Sequence, residues 1–325
     1  FRMFITLADY NPWFVRAVAI AFGLLWGSFL NVVIHRVPRG QSVVHPASHC
    51  PACGKPIRPW DNIPLLSYAL LRGKARCCKA PLSPRYPLVE AIGGLLSLAV
   101  LEAVVFRLPE GTPIAHSLAV YTADLALALA LVAAAFIDLE HMILPDAITF
   151  GGALLGIATA SFRNMTFTDA LIGAAVGFGI VWLPFIVVYP KIRGGRVGMG
   201  LGDAKLLLLA GAWFGWGGAL FVLGAGAIQG TLFALVTLLA RGKIEEPEAV
   251  REEREAIRKE LEEMSPEERA QAEKELAEDP LADEPGEGLG QARLAFGPFL
   301  VLATLEVLLF GKDLLGVYFA WLEGA

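Results

Sequence analysis

Charge is scarce in this chain. Of its 325 residues, 18% are Asp, Glu, Lys or Arg and 55% are hydrophobic, with a mean hydropathy of +0.56. Soluble domains usually carry about 25% charged residues, so the shortage excludes an ordinary soluble enzyme and points to an integral membrane protein. Cysteine is equally sparse, with four residues confined to positions 50–78. No Gly-X-Gly-X-X-Gly follows a strand-like run, which argues against a Rossmann-type cofactor fold. No internal repeat is visible either, so the related halves common among transporters are missing.

What is present is uneven. The net charge of −5 taken alone argues against polyanionic partners. Yet residues 241–293 hold 9 Lys+Arg and 18 Asp+Glu, a local net of −9, while the remainder holds 18 Lys+Arg and 14 Asp+Glu, a net of +4. The acidity belongs to one segment of a mildly basic protein. Runs of mostly apolar residues near 13–34, 87–106, 116–137, 147–162, 168–189, 203–215, 217–240 and 295–310 give about eight transmembrane helices, the fourth and sixth short and Gly-rich. The fold class expected is an all-α membrane protein with a small cytoplasmic cysteine-containing domain and a charged cytoplasmic insertion. The tail 311–325 is amphipathic, with Tyr318 and Trp321 as interfacial belt residues.

With eight spans, loops 35–86, 138–146, 190–202 and 241–293 share one side. Counting Lys205, that side carries 22 of the 27 Lys+Arg. The positive-inside rule makes it cytoplasmic and places both termini outside the cytoplasm. The first apolar stretch is too long for a signal-peptide core and lacks a small-residue cleavage site. The division expected is 1–34 first span, 35–86 cysteine domain, 87–240 transmembrane core, 241–293 charged insertion, and 294–325 final span with interfacial tail. Within the insertion, Ser265-Pro266-Glu267-Glu268 fits a helix start and Asp279-Pro280 a stop, giving two short charged helices before a flexible stretch 280–293. It reads as a solvated insertion or as a docking element for a cytoplasmic partner.

Carboxylates in spans are costly and usually functional. Asp138 closes the third span and Asp203 opens the sixth, in Gly198-Met199-Gly200-Leu201-Gly202-Asp203. The topology puts both at one cytoplasmic depth. Two carboxylates in one low-dielectric pocket do not both ionise easily, so the pair is expected to share a proton, as an aspartic protease requires. A separation of about 4–7 Å, bridged by water, is expected. The plainer readings are a helix-end carboxylate facing water for Asp138 and a helix N-terminal acid for Asp203. Glu140 and Asp146 compete with Asp138. Asp146 also looks like an N-cap, and Glu90 is the most plausible helper.

These residues carry a resemblance. Gly27-Ser28-Phe29-Leu30-Asn31 through Pro38, the cysteine loop followed by Ser83-Pro84-Arg85-Tyr86-Pro87-Leu88-Val89-Glu90, the Asp138 stretch ending Leu144-Pro145-Asp146, and Gly200-Leu201-Gly202-Asp203 together resemble the type IV prepilin peptidases. That family is the bifunctional leader peptidase/N-methyltransferase of type IV pili and type II secretion. The likeness covers nearly all of the chain except 241–293. It implies that Asp138 and Asp203 are the catalytic pair. It implies cleavage of prepilin or pseudopilin leaders after a glycine at the cytoplasmic face of the bacterial inner membrane, then methylation of the new N-terminus from S-adenosylmethionine. Pilus or secretion assembly components are the implied further partners.

Cys50-Pro51-Ala52-Cys53 has zinc-knuckle spacing, and 23 residues separate it from Cys77 and the adjacent Cys78. Four thiolates at about 2.3 Å would form a closed structural zinc site. The family's second Cys-X-X-Cys is altered, since Ala75 occupies its first position, Cys78 its second, and Cys77 lies between. Cys77 substitutes for the missing ligand, or His49 or His45 completes three cysteines, or the site is lost; free thiols packed by Trp60, Pro56 and Pro59 are the plain reading. The resemblance places the methyl donor near a Gly-Lys pair, which Gly73 and Lys74 match. By charge alone, Lys74 is one more basic residue of a loop suited to anionic lipid headgroups. The alternative to a protease is a transporter or channel in which Asp138 and Asp203 relay protons or ions; a third reading is an assembly scaffold with dead catalysis.

Overall fold

In a computed structural model of the chain, residues 5–192, 199–241, 248–265 and 294–322 are described, with Arg269 and Ala272. The described residues are helical and include no β-strand, only the isolated bridges His49–Pro56 and Lys74–Pro81. The chain divides into two compact units. One comprises residues 1–133, 161–164 and 305–325, and the other comprises 134–160 and 165–304.

In the first unit, α1 (Pro12–Arg36) starts where Asn11 caps it, its side chain accepting from the Trp13 and Phe14 amides, with Pro12 at the first helical position. α2 (Leu66–Leu70) lies in the cysteine loop, and α3 (Arg85–Ala103) and α4 (Ile114–His141) follow, the residues of α4 after Ala133 belonging to the second unit. α1 and α3 touch backbone to backbone. A Cβ on Gly27 would stand 2.8 Å from Glu90 Cα, and Gly23 meets Gly93 in the same way. Without a hydrophobic driving force between helices in lipid, such close approach supplies the van der Waals contact that holds them. Ser97 on α3 donates to the Ala19 carbonyl of α1 and bonds the Tyr121 hydroxyl of α4 at 2.6 Å, a polar tie in an apolar setting.

In the second unit, α5 (Asp146–Ala158) and α6 (Phe167–Val181) lead into a π-helical turn, Trp182–Val188, and then α7 (Tyr189–Ile192). Pro184 lies in the π turn; its missing amide breaks the ordinary ladder, a common cause of such widening. α8 (Leu201–Arg241) packs along α5 and α6, and α9 (Glu248–Glu263) and α10 (Gly297–Leu322) follow, the residues of α10 from Leu305 on belonging to the first unit. The contacts are made by glycines four apart: Gly152 and Gly156 receive Leu209 and Trp213, Gly173 and Gly177 abut the α8 backbone, Gly211 and Gly215 abut α6, and Gly226 and Gly230 receive Leu300, Phe296 and Phe299. Trp213, 1% exposed, also donates from Nε1 to the Gly152 carbonyl at 2.8 Å.

α8 is too long for one crossing. Its 41 residues would run about 62 Å if straight, twice a bilayer's apolar thickness. It breaks at Gly215, whose φ of 71° and ψ of −178° suit glycine alone. This lies at the boundary between the two spans expected at 203–215 and 217–240. Among the described residues, five helices are long and apolar enough to cross a membrane, α8 counting once, and Asp146–Ala158 and Gly297–Gly311 are shorter apolar helices. α10 continues to Leu322, so the expected interfacial tail prolongs the last helix, while the side chains of Tyr318 and Trp321 lie outside the described residues. In the insertion, α9 forms and buries Val250. The expected helix start at 265–268 and the flexible stretch 280–293 lie outside the described residues, Ser265 apart.

Candidate active site and cysteine cluster

Asp138 stands in the last turn of α4, where its carbonyl accepts the Met142 amide at 2.9 Å. Met142 then adopts φ 53° and turns the chain sharply. The turn carries Leu144 across to Gly202 of α8 and Gly297 of α10. Cβ atoms built on these glycines would stand 3.1 and 3.3 Å from its side chain. Asp203 is the third residue of α8 and accepts from the Gly200 amide at 3.2 Å, half of a capping box. The N-terminal acid role expected of it as the plain reading is therefore present, and it leaves a buried carboxylate beside Asp138. Asp138 and Asp203 are 5% and 9% exposed, and each lies within reach of the other's charge. Asp138 Oδ2 is buried without a hydrogen-bond partner among the described residues. Folded proteins rarely leave a carboxylate oxygen so, and sites of chemistry are where they do.

The neighbouring acids separate by burial. Glu140 is half-buried and Asp146 is exposed. Asp146 is not the cap of α5, because Pro145 holds that position and Asp146 is the first helical residue. Its Oδ1 instead pairs with Lys205 Nζ at 2.5 Å, and that ammonium also lies over the Phe150 ring. Asp124, buried in the first unit, lies within the electrostatic reach of Arg163. Glu90 accepts the Leu65 amide at 2.8 Å, where Leu65 has φ 58°, so it anchors the strained start of α2.

The cysteine loop is built as two copies of one knuckle, 25 residues apart. In the first, the Cys50 amide donates to Lys55 O, Gly54 to Cys50 O, and Ile57 to Ser48 O. In the second, Ala75 donates to Ala80 O, Lys79 to Ala75 O, and Leu82 to Gly73 O. The bridges His49–Pro56 and Lys74–Pro81 correspond too. Gly54 and Lys79 both take positive φ, which costs the Lys its usual backbone comfort. Ala75 therefore stands where Cys50 stands, and Cys78 where Cys53 stands. Cys77 supplies the fourth sulfur from the middle of the second knuckle.

All four sulfurs lie within 4.8 Å of one another, with Cys50–Cys78 at 3.7 Å, Cys53–Cys77 at 3.3 Å and Cys77–Cys78 at 3.9 Å. A tetrahedral zinc–thiolate centre requires about 3.8 Å between sulfurs, so the donor set fits that ion. The Cys53 amide, and next the Ala52 amide, hold the Cys50 thiol down to about 6. Bonds from the Cys53 and Cys50 sulfurs push Cys77 up to about 12. A cation at the centre would favour the thiolate at both.

A groove of about 480 Å³ adjoins the cluster, with Arg58, Asp61, Ala75 and Arg76 in its lining. Gly73 and Lys74 are not among its lining residues. Gly73 has φ 68°, and a Cβ there would stand 3.0 Å from the Tyr68 hydroxyl, so the turn itself requires glycine. Trp60 is 58% exposed and lies under Arg58, so it is not the packing centre of the loop. Two features escape a reading of the sequence by motif. The glycine pairs of the second unit are marked only by their spacing of four, which no motif singles out. Gly297, against Asp138, is marked only by standing before Pro298 at a helix start.

A polytopic helical protein with a buried carboxylate pair in one unit and a four-cysteine knuckle in the other is the class these features define. Residues 21–115 match the bacterial peptidase A24 N-terminal domain and residues 125–235 match the type IV leader peptidase family. The chain is 43% identical over 222 residues to the prepilin leader peptidase/N-methyltransferase of Myxococcus xanthus (strain DK1622), covering 68% of this chain and 62% of that protein. It is 37% identical over 267 residues to the protein of the same name from Aeromonas hydrophila, covering 74% of this chain and 87% of that one. With the protein of that name from Klebsiella pneumoniae it shares 39% identity over 202 residues, 60% of this chain and 82% of that protein. The chain belongs to the type IV leader peptidase family. No solved structure matches it.

Proposed function

We propose that this protein cleaves the leader from type IV prepilins or pseudopilins and N-methylates the residue exposed, with Asp138 and Asp203 as the catalytic carboxylates. Family membership supports the activity. The observation that carries the assignment of residues is the buried pair with an unpartnered Asp138 oxygen. One carboxylate holds the shared proton. The ionised one takes a proton from water as the water oxygen attacks the scissile carbonyl carbon, and the protonated one gives its proton to the carbonyl oxygen. The tetrahedral intermediate collapses, the carbon–nitrogen bond breaks, and the departing nitrogen receives a proton to become the new N-terminus. A relay of ions through the same carboxylates is not favoured, because the relatives are peptidases.

S-adenosylmethionine, when bound, supplies the methyl group. Gly73 and Lys74 are assigned to it on the resemblance, and the neighbouring groove offers concave space of a size usual for small-molecule sites. Zinc is assigned a structural role, held by Cys50, Cys53, Cys77 and Cys78 on the fit of the sulfur distances. The chain is taken to cross the bacterial inner membrane eight times, counting both parts of α8 and the two shorter apolar helices. Both termini then lie outside the cytoplasm and the carboxylates lie at the cytoplasmic face, beside basic loops suited to anionic lipids. Pilus or secretion assembly components are the further partners. Mass spectrometry of a co-expressed prepilin tests the pair of activities: the expected product lacks its leader and carries one added methyl group. An intact leader would refute the peptidase, and an unmethylated product would refute the transferase.

A further inference from the structure

The first turn of α10 lies against Asp138. Phe296 caps that helix, its carbonyl accepting the Phe299 amide at 3.1 Å and the Leu300 amide at 3.4 Å. Gly297 is the first helical residue and Pro298 the second. A first-position amide has no acceptor within its own helix, and proline contributes none, so the Gly297 N–H is the donor left over at this end. It lies beside the Asp138 carboxylate. The contact tolerates no side chain. A Cβ on Gly297 would stand 2.6 Å from Asp138 Oδ2, 3.0 Å from its Cγ and 3.3 Å from Leu144 Cδ1. Glycine is required here by close approach to a carboxylate that is itself 5% exposed and has a free oxygen. Gly230 on α8 gives an internal contrast. It meets Phe296 and Phe299 of the same segment at 3.3 Å from a built Cβ, away from the carboxylate.

We propose that Gly297 is a positioning residue for Asp138: its bare Cα lets the start of α10 pack against Oδ2 and hold the carboxylate's orientation. The proposal rests on reading Asp138 as catalytic. It predicts a loss confined to the peptidase step, because a methyl or hydroxymethyl group at 297 displaces the carboxylate and little else.

The test uses the full chain in proteoliposomes, with Gly297→Ala, Gly297→Ser, Gly230→Ala and Asp138→Asn. Two rates are read: cleavage of a prepilin, resolved into kcat and KM, and N-methylation of an already processed pilin. Displacing a reacting group by about 1 Å typically costs about 100-fold, so kcat for cleavage should fall by that order in both Gly297 variants. KM and methylation should be unchanged, and Gly230→Ala should cleave as the wild type does. Wild-type kcat in Gly297→Ala would overturn the proposal. So would an equal fall in Gly230→Ala, or a parallel loss of methylation, either of which would make Gly297 a packing residue. Cleavage by Asp138→Asn would refute the catalytic reading itself, a result distinct from activity in the Gly297 variants alone.

Discussion

Asp138 and Asp203 are distinguished by their surroundings, since aspartate at a helix end is ordinary in sequence. Glu140 and Asp146 share the α4–α5 stretch with Asp138, but only Asp138 is buried there. Replacing either carboxylate of the pair by Asn keeps the shape and removes the ability to hold or deliver the proton. Asp138→Asn and Asp203→Asn are each expected to lower cleavage by about 10³-fold or more, measured on a purified prepilin in detergent, with helix content by circular dichroism unchanged. The cysteine cluster makes a second residue-scale prediction. Because Cys77 takes over from the position held by Ala75, Cys77→Ser should lower the zinc content of the purified protein. Ala75→Cys combined with Cys77→Ala should retain it. Elemental analysis reads both, and full zinc in Cys77→Ser would remove that sulfur from the site.

At the scale of elements, the helices are held by absent side chains. On α6, Gly177 faces the Leu207 backbone and Gly173 the Gly211 backbone, so an added methyl has nowhere to go. Gly177→Ala should destabilise the folded protein by about 1–3 kcal/mol, the usual cost of overpacking. Gly151→Ala, at a helical position where a Cβ meets nothing within 4 Å, should be neutral or slightly stabilising. Thermal unfolding in detergent compares the two. The Lys205–Asp146 pair ties α8 to α5, but the Asp146 side chain is 63% exposed, so screening limits its worth. Asp146→Asn should cost at most about 1 kcal/mol, and a much larger loss would show that the pair is better sheltered than its exposure indicates.

At the scale of the molecule, the proposed orientation rests on the side that collects the basic loops and the charged insertion. Protease added to inverted membrane vesicles should cut within 241–293, and protease added to intact spheroplasts should leave that segment whole. The opposite pattern would invert the topology. Both parts of α8 enter the eight crossings proposed for the chain. If the helix crossed once, without the Gly215 break, Asp203 and the insertion would fall on opposite faces.

The sequence by itself determined that the protein is helical and membrane-embedded, which loops carry its positive charge, and which residues carry the family likeness. Those properties are sums and spacings along the chain, and hydropathy and charge act position by position. Tertiary structure decided what depends on approach between distant positions. It set which acid near α5 is buried and which pairs with Lys205. It showed that the second knuckle keeps the hydrogen bonds of the first while taking its sulfur from two residues further on. It also brought Gly297 against Asp138, 159 residues away in sequence. No local pattern encodes those contacts, because van der Waals exclusion and hydrogen-bond geometry are satisfied only between helices already packed.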